Sequence, residues 1–598
     1  MNLRARLARE VKFFKGLSRT LKWVKGIAPD SPNLICDDLE KAVDAHRDRP
    51  AITFEGRTLT YGEMDQLANR YAHWAKEQGI TRGQTVALFM PNRLEYLPIW
   101  YGLSKVGVAT ALINNNLTGQ ALAHCLNISG ALHCLVDGET SPAFEAVRGQ
   151  LARHMSQWTL GPVSGDRRDL ATALKSCSQL RPDRLTARGD LRAKDTALYI
   201  YTSGTTGLPK AARINHMRAQ LYMRGFAGST GVEKSDRIYQ VLPLYHATGG
   251  MCGMGAALLS GASIVLRRKF STTYFWDDVV DEGCTMFVYI GELCRYLVNA
   301  PEHPKERSHK LRLAFGNGLR ADVWTELQSR FGVPQVLEFY GATEGNVSMF
   351  NFDGKVGAIG RIPGWLKKKV NARIVQFDVE TEQPIRGLNG LCIECGVDQV
   401  GECLGKIDAG DARTSFTGYA DKAATEKKIL HDVFEKGDAW FRTGDLMRRD
   451  AEGYLYFIDR IGDTFRWKGE NVSTGEVAEK LASIPGVLEA NVYGVEIPGH
   501  DGRAGMAALS VDGDFDIKAL YGQVEQDLPH YAQPMFVRLQ RQIETTGTFK
   551  YRKVDLVEDG FNPERTKEPI YFKNPVKKTY VKLTKAGYQK VLEGAFRL

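Results

Sequence analysis

The stretch that decides the fold is Tyr201-Thr202-Ser203-Gly204-Thr205-Thr206-Gly207-Leu208-Pro209-Lys210, which contains four Ser or Thr hydroxyls, two glycines and one lysine. The apolar run from Ala197 to Ile200 precedes it and predicts a strand that ends where a loop begins. Glycines let the backbone approach a ligand closely and turn its N–H groups toward it. Hydroxyls add hydrogen-bonding groups, and a lysine adds a compact positive charge. The stretch therefore predicts a loop that wraps a polyphosphate.

Two other interpretations of this loop were weighed against its residues. The nucleotide-binding pattern G-x-x-x-x-G-K-[ST] does not fit, because Pro209 precedes Lys210 and Ala211 follows it, so the hydroxyl that binds magnesium in that pattern is missing. A polar surface loop without special purpose would not have partner motifs elsewhere in the chain. The stretch instead resembles the phosphate loop of adenylate-forming enzymes, the superfamily of acyl-CoA synthetases, luciferases and peptide-synthetase adenylation domains.

Five further segments match the same superfamily, in the order in which its members have them. Each segment alone is a weak signal, since short turns such as Thr443-Gly444-Asp445 are common. Six matches in one order leave little room for coincidence. The segments are Pro243 to Gly250, Phe315 to Leu319, Tyr340 to Glu344, Phe441 to Asp445, and a terminal pair formed by Leu528 to Tyr531 and Thr546 to Lys550.

The resemblance implies a role for each matching residue in binding ATP and magnesium. An aromatic face suits a purine, a hydroxyl suits a phosphate oxygen, and a carboxylate suits a hard divalent cation. By resemblance, Tyr340 and Gly341 lie on the adenine, Thr343 contacts the α-phosphate, and Glu344 holds Mg²⁺. The remaining nucleotide residues implied in this way are Thr202, Ser203, Gly204, Thr205, Thr206, Gly207 and Lys210 for the phosphates, Asn317 and Gly318 for the adenine, and Asp445 and Arg460 for the ribose.

The resemblance also implies residues for the acid, for coenzyme A and for catalysis. His246, Gly249 and Gly250 are expected beside the acyl pocket, and Gly469 and Glu470 near the channel for the thiol. The catalytic residues are expected to be Lys550, Glu344 and Thr343. Two features depart from the superfamily pattern. Gly462 stands where relatives often have Asp or Lys at a pivot, and two extra residues separate the glycine of the last motif from its lysine.

Four segments narrow the resemblance to the fatty acid transport protein or very-long-chain acyl-CoA synthetase branch. They are Tyr340 to Asn346 (YGATEGN), Val356 to Arg361, Asp463 to Ser473, and Thr546 to Lys550. This branch implies an ATP-dependent fatty acyl-CoA synthetase that uses ATP, Mg²⁺ and coenzyme A. Two alternatives stay open: a coenzyme A ligase for another acid, such as a bile or aromatic acid, and a membrane-surface carrier of fatty acids without catalysis.

Composition excludes some classes of protein. The chain has 598 residues, 43% of them hydrophobic and 25% charged, as expected for a globular protein of more than one domain. The net charge of +9 is concentrated at the ends: residues 1–25 have +7 and residues 573–598 have +6, which leaves −4 for the rest. A nucleic-acid binder is expected to have its basic patch on the folded body, so no nucleic-acid partner is predicted. The oligomeric state is left open.

The ten cysteines do not suggest a disulfide framework in a chain of this length. Cys392 and Cys395 have the C-x₂-C spacing of a zinc site, and Cys403 lies nearby. No second pair and no neighbouring histidine completes a set of four ligands. The segment from Leu391 to Cys395 also alternates as a strand does, which is the second interpretation.

Residues 2–25 predict a basic amphipathic helix. Apolar residues recur at steps of three and four, and lysines and arginines flank them. Such a helix suits the surface of an anionic bilayer, but it could also dock on the protein itself or fray. No secretory signal or apolar run long enough to span a bilayer is seen, so the expected location is cytoplasmic, peripheral on the inner face of the membrane. The apolar residues of the stripe are Leu3, Leu7, Val11, Phe14, Leu17, Leu21 and Val24.

The pattern of elements predicts an α/β fold of three parts. Residues 1–30 form the N-terminal segment. Residues 31–460 form a large ATP- and acyl-binding domain, in which strands alternating with helices indicate mostly parallel sheets and later hairpin-like segments indicate a small antiparallel or barrel-like subdomain. Residues 461–598 form a smaller, mobile α+β domain that carries Lys550 and a basic tail.

Overall fold

The computed structural model describes residues 3–161, 168–202, 208–408, 410–411, 413–419, 421–468, 470–498, 500, 502–543 and 553–596. They form two compact units. Unit 1 consists of residues 1–361 and 406–430, and unit 2 consists of residues 362–405 and 431–598.

The α-helices are, in chain order, α1 (Leu3–Val24), α2 (Ile35–His46), α3 (Tyr61–Glu77), α4 (Tyr96–Lys105), α5 (Gly119–Ser129), α6 (Ser141–Val147), α7 (Leu170–Lys175), α8 (Arg184–Arg188), α9 (His216–Thr230), α10 (Met254–Leu258), α11 (Thr272–Asp281), α12 (Gly291–Asn299), α13 (Ala321–Ser329), α14 (Lys422–Glu426), α15 (Thr474–Ala482), α16 (Ala519–Asp527), α17 (Val554–Asp559) and α18 (Lys585–Leu592). A π-helical turn lies at Thr248–Gly253, and short 3₁₀ turns lie at Arg148–Gln150, Gly364–Leu366 and His530–Ala532.

The strands are, in chain order, β1 (Pro50–Phe54), β2 (Arg57–Thr60), β3 (Thr85–Phe89), β4 (Ala109–Leu112), β5 (His133–Asp137), β6 (Ser156–Leu160), β7 (Arg168–Asp169), β8 (Thr196–Thr202), β9 (Lys210–Asn215), β10 (Arg237–Gln240), β11 (Ser263–Leu266), β12 (Met286–Ile290), β13 (Leu313–Asn317), β14 (Val336–Gly341), β15 (Ser348–Phe350), β16 (Gly360–Arg361), β17 (Ala372–Asp378), β18 (Gln383–Pro384), β19 (Gly401–Lys406), β20 (Ile429–His431), β21 (Ala439–Arg449), β22 (Tyr454–Arg460), β23 (Phe465–Trp467), β24 (Glu470–Val472), β25 (Val487–Glu496), β26 (Arg503–Val511), β27 (Phe536–Gln540), β28 (Ile570–Asn574) and β29 (Thr579–Lys582).

Unit 1 contains two large sheets of mainly parallel strands. One has the order β15-β14-β13-β12-β10-β11-β1-β2 and the other the order β7-β6-β5-β3-β4-β8-β9. In each sheet the antiparallel pairs lie at an edge: β14–β15, β1–β2 and β8–β9. Central strands such as β3 and β12 are almost wholly buried, because helices cover both faces. The predicted α/β architecture with mostly parallel sheets is therefore confirmed.

Unit 2 contains an antiparallel sheet and an α+β part. The sheet includes the path β22-β21-β19-β17-β18, and the α+β part is built on the five-stranded order β25-β26-β27-β28-β29. The predicted antiparallel subdomain is thus present among the described residues. The boundary predicted at residue 460 lies in a turn of unit 2 after β22, and that division stays a prediction.

The cysteine segment is not a regular strand. Residues near Gly390 make only isolated bridges, Val375 with Glu394 and Arg386 with Cys392, because glycines at 390 and 396 interrupt the segment on both sides. Cys392, Cys395 and Cys403 are buried and carry free thiols. No group of three metal-binding side chains is present among the described residues.

Helix α1 docks on α9 and on the segment after β15, all within unit 1. Its docked face contains Phe13, whose side chain is 2% exposed, and Gly16, where a Cβ atom would overlap the ring of Phe352. Arg19 donates hydrogen bonds to the carbonyl oxygens of Gly228 and Ser229 at the end of α9. The helix therefore packs mainly through residues beside the predicted apolar stripe, of which only Leu17 and Val24 are half-buried among the described side chains.

The other face of α1 is open to solvent. Leu7 is 65% exposed and Phe14 is 61% exposed, and Val11 and Leu21 are also exposed. Exposed lysines and arginines flank this face. Within the described part of the chain, no helix is both long enough and apolar enough to span a bilayer.

Candidate functional site

The phosphate loop connects two paired strands of unit 1. Thr202 ends β8 and Lys210 begins β9, and these two residues are partners in the antiparallel ladder. The loop therefore leaves and re-enters the sheet at one point, as the sequence predicts. Ser203, Gly204, Thr205, Thr206 and Gly207 lie outside the described residues. The Lys210 Nζ atom lies 5.8 Å from the centre of the Tyr419 ring, a distance at which a cation is attracted to the π face.

Glu344, the predicted magnesium ligand, is held by Tyr419. The Tyr419 hydroxyl donates a hydrogen bond of 2.6 Å to Oε1 of Glu344. Burial, and then the charge of Glu344, raises the pKa of Tyr419, so the phenol stays protonated and can donate this bond. The Tyr419 backbone also forms an isolated antiparallel bridge with Ala212 of β9. Tyr419 therefore joins the base of the phosphate loop to the carboxylate of the YGATE motif.

The backbone that presents Thr343 is fixed by two side chains of α9. Arg218 Nε donates to the Thr343 carbonyl oxygen at 3.1 Å, and the Tyr222 hydroxyl donates to the Ala342 carbonyl oxygen at 2.8 Å. These bonds hold the peptide groups on either side of Thr343 in place. A carbonyl oxygen can only accept, so the hydroxyl is the side-chain group of Thr343 that could donate to a ligand oxygen.

Asn317 and Gly318 form the turn at the end of β13, one strand away from Tyr340. Gly318 has a positive φ of 79°, a conformation that favours glycine. The Asn317 Oδ1 atom is buried and has no hydrogen-bond partner among the described residues. A buried, unsatisfied acceptor of this kind suits a donor of a ligand, such as the exocyclic amine of adenine.

Glu338 supports the same turn from β14. Its carboxyl group accepts hydrogen bonds from the Leu319 backbone N–H at 3.1 Å and from the Tyr289 hydroxyl at 2.5 Å. Complete burial raises the pKa of Glu338 to about 8, because a charged carboxylate would be desolvated there. The carboxyl group is therefore largely neutral near pH 7 and acts as a fixed hydrogen-bonding group behind the turn at Asn317 and Gly318.

The predicted acyl segment folds around its glycines. The Gly250 N–H donates to the His246 carbonyl oxygen at 2.7 Å, and a Cβ atom at Gly249 would lie only 2.5 Å from the Pro243 carbonyl oxygen. Only glycine allows this close approach of backbone to backbone. The π-helical turn that follows brings Ala247, Thr248 and Cys252 toward β14.

A small cavity of about 40 Å³, partly open to solvent, lies between this segment, α9 and β14. Tyr340, Gly341 and Thr343 form one side of the cavity, so predicted nucleotide residues border it directly. Apolar and aromatic side chains form much of the rest, which favours an apolar ligand group next to the nucleotide. The other lining residues are Tyr222, Phe226, Ala247, Thr248, Cys252, Phe339, Ser348 and Phe350.

Asp445 and Arg460, the predicted ribose residues, meet within unit 2. They are directly opposed partners of β21 and β22, and Arg460 Nε lies 3.7 Å from Asp445 Oδ1. The Thr443 hydroxyl accepts a bond from the Asp445 N–H at 3.1 Å and donates to the Cys403 carbonyl oxygen at 2.7 Å. The part of β21 that holds the carboxylate, which the sequence indicated as a turn, is therefore tied to the neighbouring strand β19.

The remaining predicted residues give less information. Glu470 begins β24 and is exposed, whereas Gly469 and Lys550 lie outside the described residues. Sequence reasoning missed Tyr419, Glu338, Arg218 and Tyr222. Neither a run of charges nor a known motif marks these four residues in the sequence. Each of them acts through a contact with a segment far away in the chain.

Comparison with known proteins agrees with this organisation. The family model described as AMP-binding enzyme matches residues 39–395, and the AMP-binding enzyme C-terminal domain matches residues 476–550. Long-chain fatty acid transport protein 2 of Rattus norvegicus is 40% identical over 99% of this chain and 96% of its own length. Long-chain fatty acid transport protein 1 of Homo sapiens is 41% identical over 91% of this chain and 84% of its own length.

Solved structures show the same fold at lower identity. ATP-bound MatB from Rhodopseudomonas palustris matches with a TM-score of 0.74 and 24% identity, over 88% of this chain and 98% of that protein. A Mycobacterium tuberculosis fatty acyl CoA synthetase matches with a TM-score of 0.63 and 23% identity, over the same shares of the two chains. The chain therefore belongs to the adenylate-forming AMP-binding enzyme family, within the group of long-chain fatty acid transport proteins.

Proposed function

We propose that the protein is an ATP-dependent fatty acyl-CoA synthetase for long- or very-long-chain acids. A carboxylate oxygen of the fatty acid attacks the α-phosphorus of ATP, the bond to the bridging oxygen breaks, and pyrophosphate leaves. The sulfur of coenzyme A then attacks the acyl carbonyl carbon of the acyl adenylate, the thiol proton is lost, and AMP leaves. The mixed anhydride gives the acyl group a good leaving group for the second step.

The observation that carries this proposal is the cavity beside Tyr340 and Thr343. Its aromatic lining suits the apolar carbons nearest the carboxyl group of an acid, and its border with the YGATE motif would put that carboxylate next to the α-phosphate. The names of the relatives support a fatty acid over a bile or aromatic acid. A carrier that performs no chemistry would not need a carboxylate oriented by a hydrogen bond, as Glu344 is oriented by Tyr419.

Charge repulsion is the main obstacle to the first step, since an anion must approach a polyanion. Glu344 suits Mg²⁺, because Tyr419 occupies only its Oε1 atom and carboxylate oxygens are preferred ligands of this ion. When bound, Mg²⁺ would neutralise phosphate charge. Lys210 and Lys550 would add positive charge, and Arg218 and Tyr222 would keep Thr343 in position.

We also propose that the residues after 460 change position between the two steps. Lys550 would serve adenylation, and Gly469 and Glu470 would serve thioester formation. Gly462, with a φ of 93°, supports a turn that can reorganise, since it has no Cβ atom to restrict the backbone.

We propose a location on the inner face of the membrane through α1. The helix offers an outward apolar face between cations, and the cytoplasmic leaflet is the one rich in anionic lipids. Docking of the opposite face on α9 supports this role, because the helix would meet the bilayer as part of a rigid body.

The test is acid-dependent nucleotide chemistry with purified full-length protein. With MgATP and a fatty acid alone, the protein should form an acyl adenylate and pyrophosphate; with coenzyme A added, it should release AMP and acyl-CoA in equal amounts. Glu344→Gln should suppress the first step. Fatty acid binding without either product would identify a carrier, and turnover of only bile or aromatic acids would identify a different ligase.

A further inference from the structure

The first turn of unit 2 exposes a tryptophan next to a run of lysines. Gly364–Leu366 form a 3₁₀ turn, and the run from Lys367 to Lys369 follows it directly, so we call Gly364 to Lys369 the lysine turn. Trp365 is 58% exposed. The last two lysines of the turn are exposed as well. An aromatic ring and two cations therefore face solvent within five successive residues.

The lysine turn is held in place by contacts with other parts of unit 2. Just before the turn, the Ile362 N–H donates to the Gly453 carbonyl oxygen at 2.8 Å. Within the turn, Lys367 Nζ lies 3.0 Å from Glu394 Oε1. The exposure of Trp365 therefore belongs to an anchored turn, and an apolar side chain that stays in water on such a turn suggests a surface for a partner.

The chemistry of the lysine turn matches the interface of an anionic bilayer. An indole ring is stable at the level of the lipid headgroups, because it has a large apolar face and one N–H donor. Lysine ammonium groups on flexible stems reach the negative charges of the headgroups. A Cβ atom at Gly364 would meet no other atom within 4 Å, so the space beside the turn is open. An acidic protein would attract the lysines but would offer the ring no apolar layer to enter, so the combination favours a bilayer.

We propose that the lysine turn is a second bilayer contact of this protein, in which Trp365 enters the interface and Lys368 and Lys369 bind anionic headgroups. This inference goes beyond the location proposed through α1. It does not depend on that location, because the turn belongs to unit 2 and α1 belongs to unit 1. It does not depend on acyl-CoA synthetase activity either.

Vesicle binding in the absence of the α1 contact gives the first test. The parent protein is the full-length chain without the exposed apolar side chains of α1. These side chains, each replaced by serine, are Leu7, Val11, Phe14 and Leu21. In this parent, Trp365→Ala should lower partitioning onto phosphatidylserine-rich vesicles by about tenfold, because a large apolar side chain is lost from the interface. Lys368→Gln combined with Lys369→Gln should lower it by roughly twentyfold at low salt, since each cation near an anionic surface contributes about fivefold.

Matched changes elsewhere in the chain separate a specific contact from a general loss of rings or charge. Tyr274→Ala removes an aromatic side chain that is 62% exposed in unit 1. Lys76→Gln combined with Lys175→Gln removes two exposed charges from α3 and α7. Both controls should bind vesicles as the parent does. Thermal unfolding is measured for every variant.

Quenching by lipids with brominated acyl chains reports the position of the Trp365 ring directly. The chain has nine tryptophans, so the parent is compared with the same protein carrying Trp365→Phe. The brominated vesicles should quench the fluorescence of the parent more than that of the Trp365→Phe variant. This variant keeps a ring at position 365, so it supplies the test even if Trp365→Ala does not fold.

The outcomes separate this inference from the location proposed through α1. Equal vesicle binding and equal quenching by the parent and its variants would show that the lysine turn is not a bilayer contact, as would a parent that does not bind vesicles at low salt. If the paired lysine variant loses binding to poly-glutamate but keeps the vesicle binding of the parent, the turn serves an acidic protein surface and the proposal is wrong. If only the α1 proposal fails, the four serine changes leave vesicle binding unaltered and Trp365→Ala still lowers it.

Discussion

The Tyr419 hydroxyl donates a 2.6 Å hydrogen bond to the Glu344 carboxylate, across 75 positions of the chain. Tyr419 belongs to residues 406–430, which return to unit 1 after the strands of unit 2. The contact gives that returning segment a function, since it orients the carboxylate that we assign to magnesium. The hydrogen bond occupies one oxygen of the Glu344 carboxylate and thereby fixes the position of the other oxygen.

We expect Tyr419→Phe to weaken magnesium activation of adenylate formation. The change removes a hydrogen bond to a charged group, a contact that contributes about 1.5–3 kcal/mol, so the magnesium concentration for half-maximal rate should rise roughly tenfold or more. Titration of Mg²⁺ at saturating ATP measures this effect, with MgATP binding followed by calorimetry as a second readout. An unchanged magnesium dependence in both measurements would show that Tyr419 does not position Glu344.

Glu338 should make stability depend on pH between about 4.5 and about 8. Burial raises its pKa in the folded chain from 4.5 to about 8, so the folded chain keeps a proton that the unfolded chain loses. Stability from this group is therefore fully present below pH 4.5 and decreases as pH rises to 8, by at most about 1.4 kcal/mol per pH unit.

Glu338→Gln tests this dependence because the amide resembles the protonated carboxyl group. Denaturant unfolding at several pH values should show a shallower decrease for this variant than for the unmodified protein. Glu326→Gln, at an exposed position of α13, is the control and should keep the original slope. If the free energy of unfolding decreased with pH at the same slope in all three proteins, Glu338 would not be the group that causes the decrease.

Lys550→Ala should separate the two half-reactions. Formation of the acyl adenylate should fall by about a hundredfold or more, since a charge near the reacting phosphate is lost. Thioester formation from supplied acyl adenylate should persist. Lys553→Ala is the control, because Lys553 lies three residues away and bonds the Thr474 hydroxyl at 2.9 Å. Equal loss of both half-reactions in Lys550→Ala would contradict the assignment.

The outward face of α1 should bind anionic vesicles. Replacing Leu7, Val11, Phe14 and Leu21 by serine removes the apolar face without touching the docked one, and should weaken binding to vesicles containing phosphatidylserine by about tenfold or more. Turnover of a soluble short acid should stay the same. High salt should weaken binding by the unmodified protein, because it screens the flanking cations.

The control for this experiment changes exposed leucines elsewhere in unit 1. Leu180→Ser and Leu185→Ser remove exposed apolar side chains far along the chain from α1 and should leave vesicle binding intact. Equal vesicle binding by the fourfold serine variant and the unmodified protein would assign α1 a purely structural role.

Much of the fold was predictable because its central elements carry strong local patterns. The runs that form β3, β11 and β12 are mostly apolar, as buried parallel strands require. The segment at Gly390 to Cys395 was less regular than its alternation indicated, because flanking glycines interrupt it. Local pattern predicts where an element forms, but not which of its faces finds a partner.

Helix α1 illustrates that limit. Its stripe of large apolar residues predicts a helix on a bilayer surface, docked on the protein or frayed, and does not show that Phe13, Gly16 and Arg19 contact the body. The reason is geometric: Gly16 and Gly228 allow close approach on that side, and the ring of Phe352 fills the space that results. This complementarity depends on both surfaces together, so it cannot be predicted from either segment of the sequence alone.

The amino-acid sequence by itself determined the family, the α/β architecture and the motifs assigned to ATP, because these depend on residues close together in the chain. Only the tertiary structure decided that Tyr419 holds Glu344, that Glu338 supports the turn at Asn317 and Gly318, and that α1 docks through Phe13, Gly16 and Arg19. Each of these contacts joins segments distant in the chain, and its strength depends on burial and distance, which arise only when the segments pack against one another.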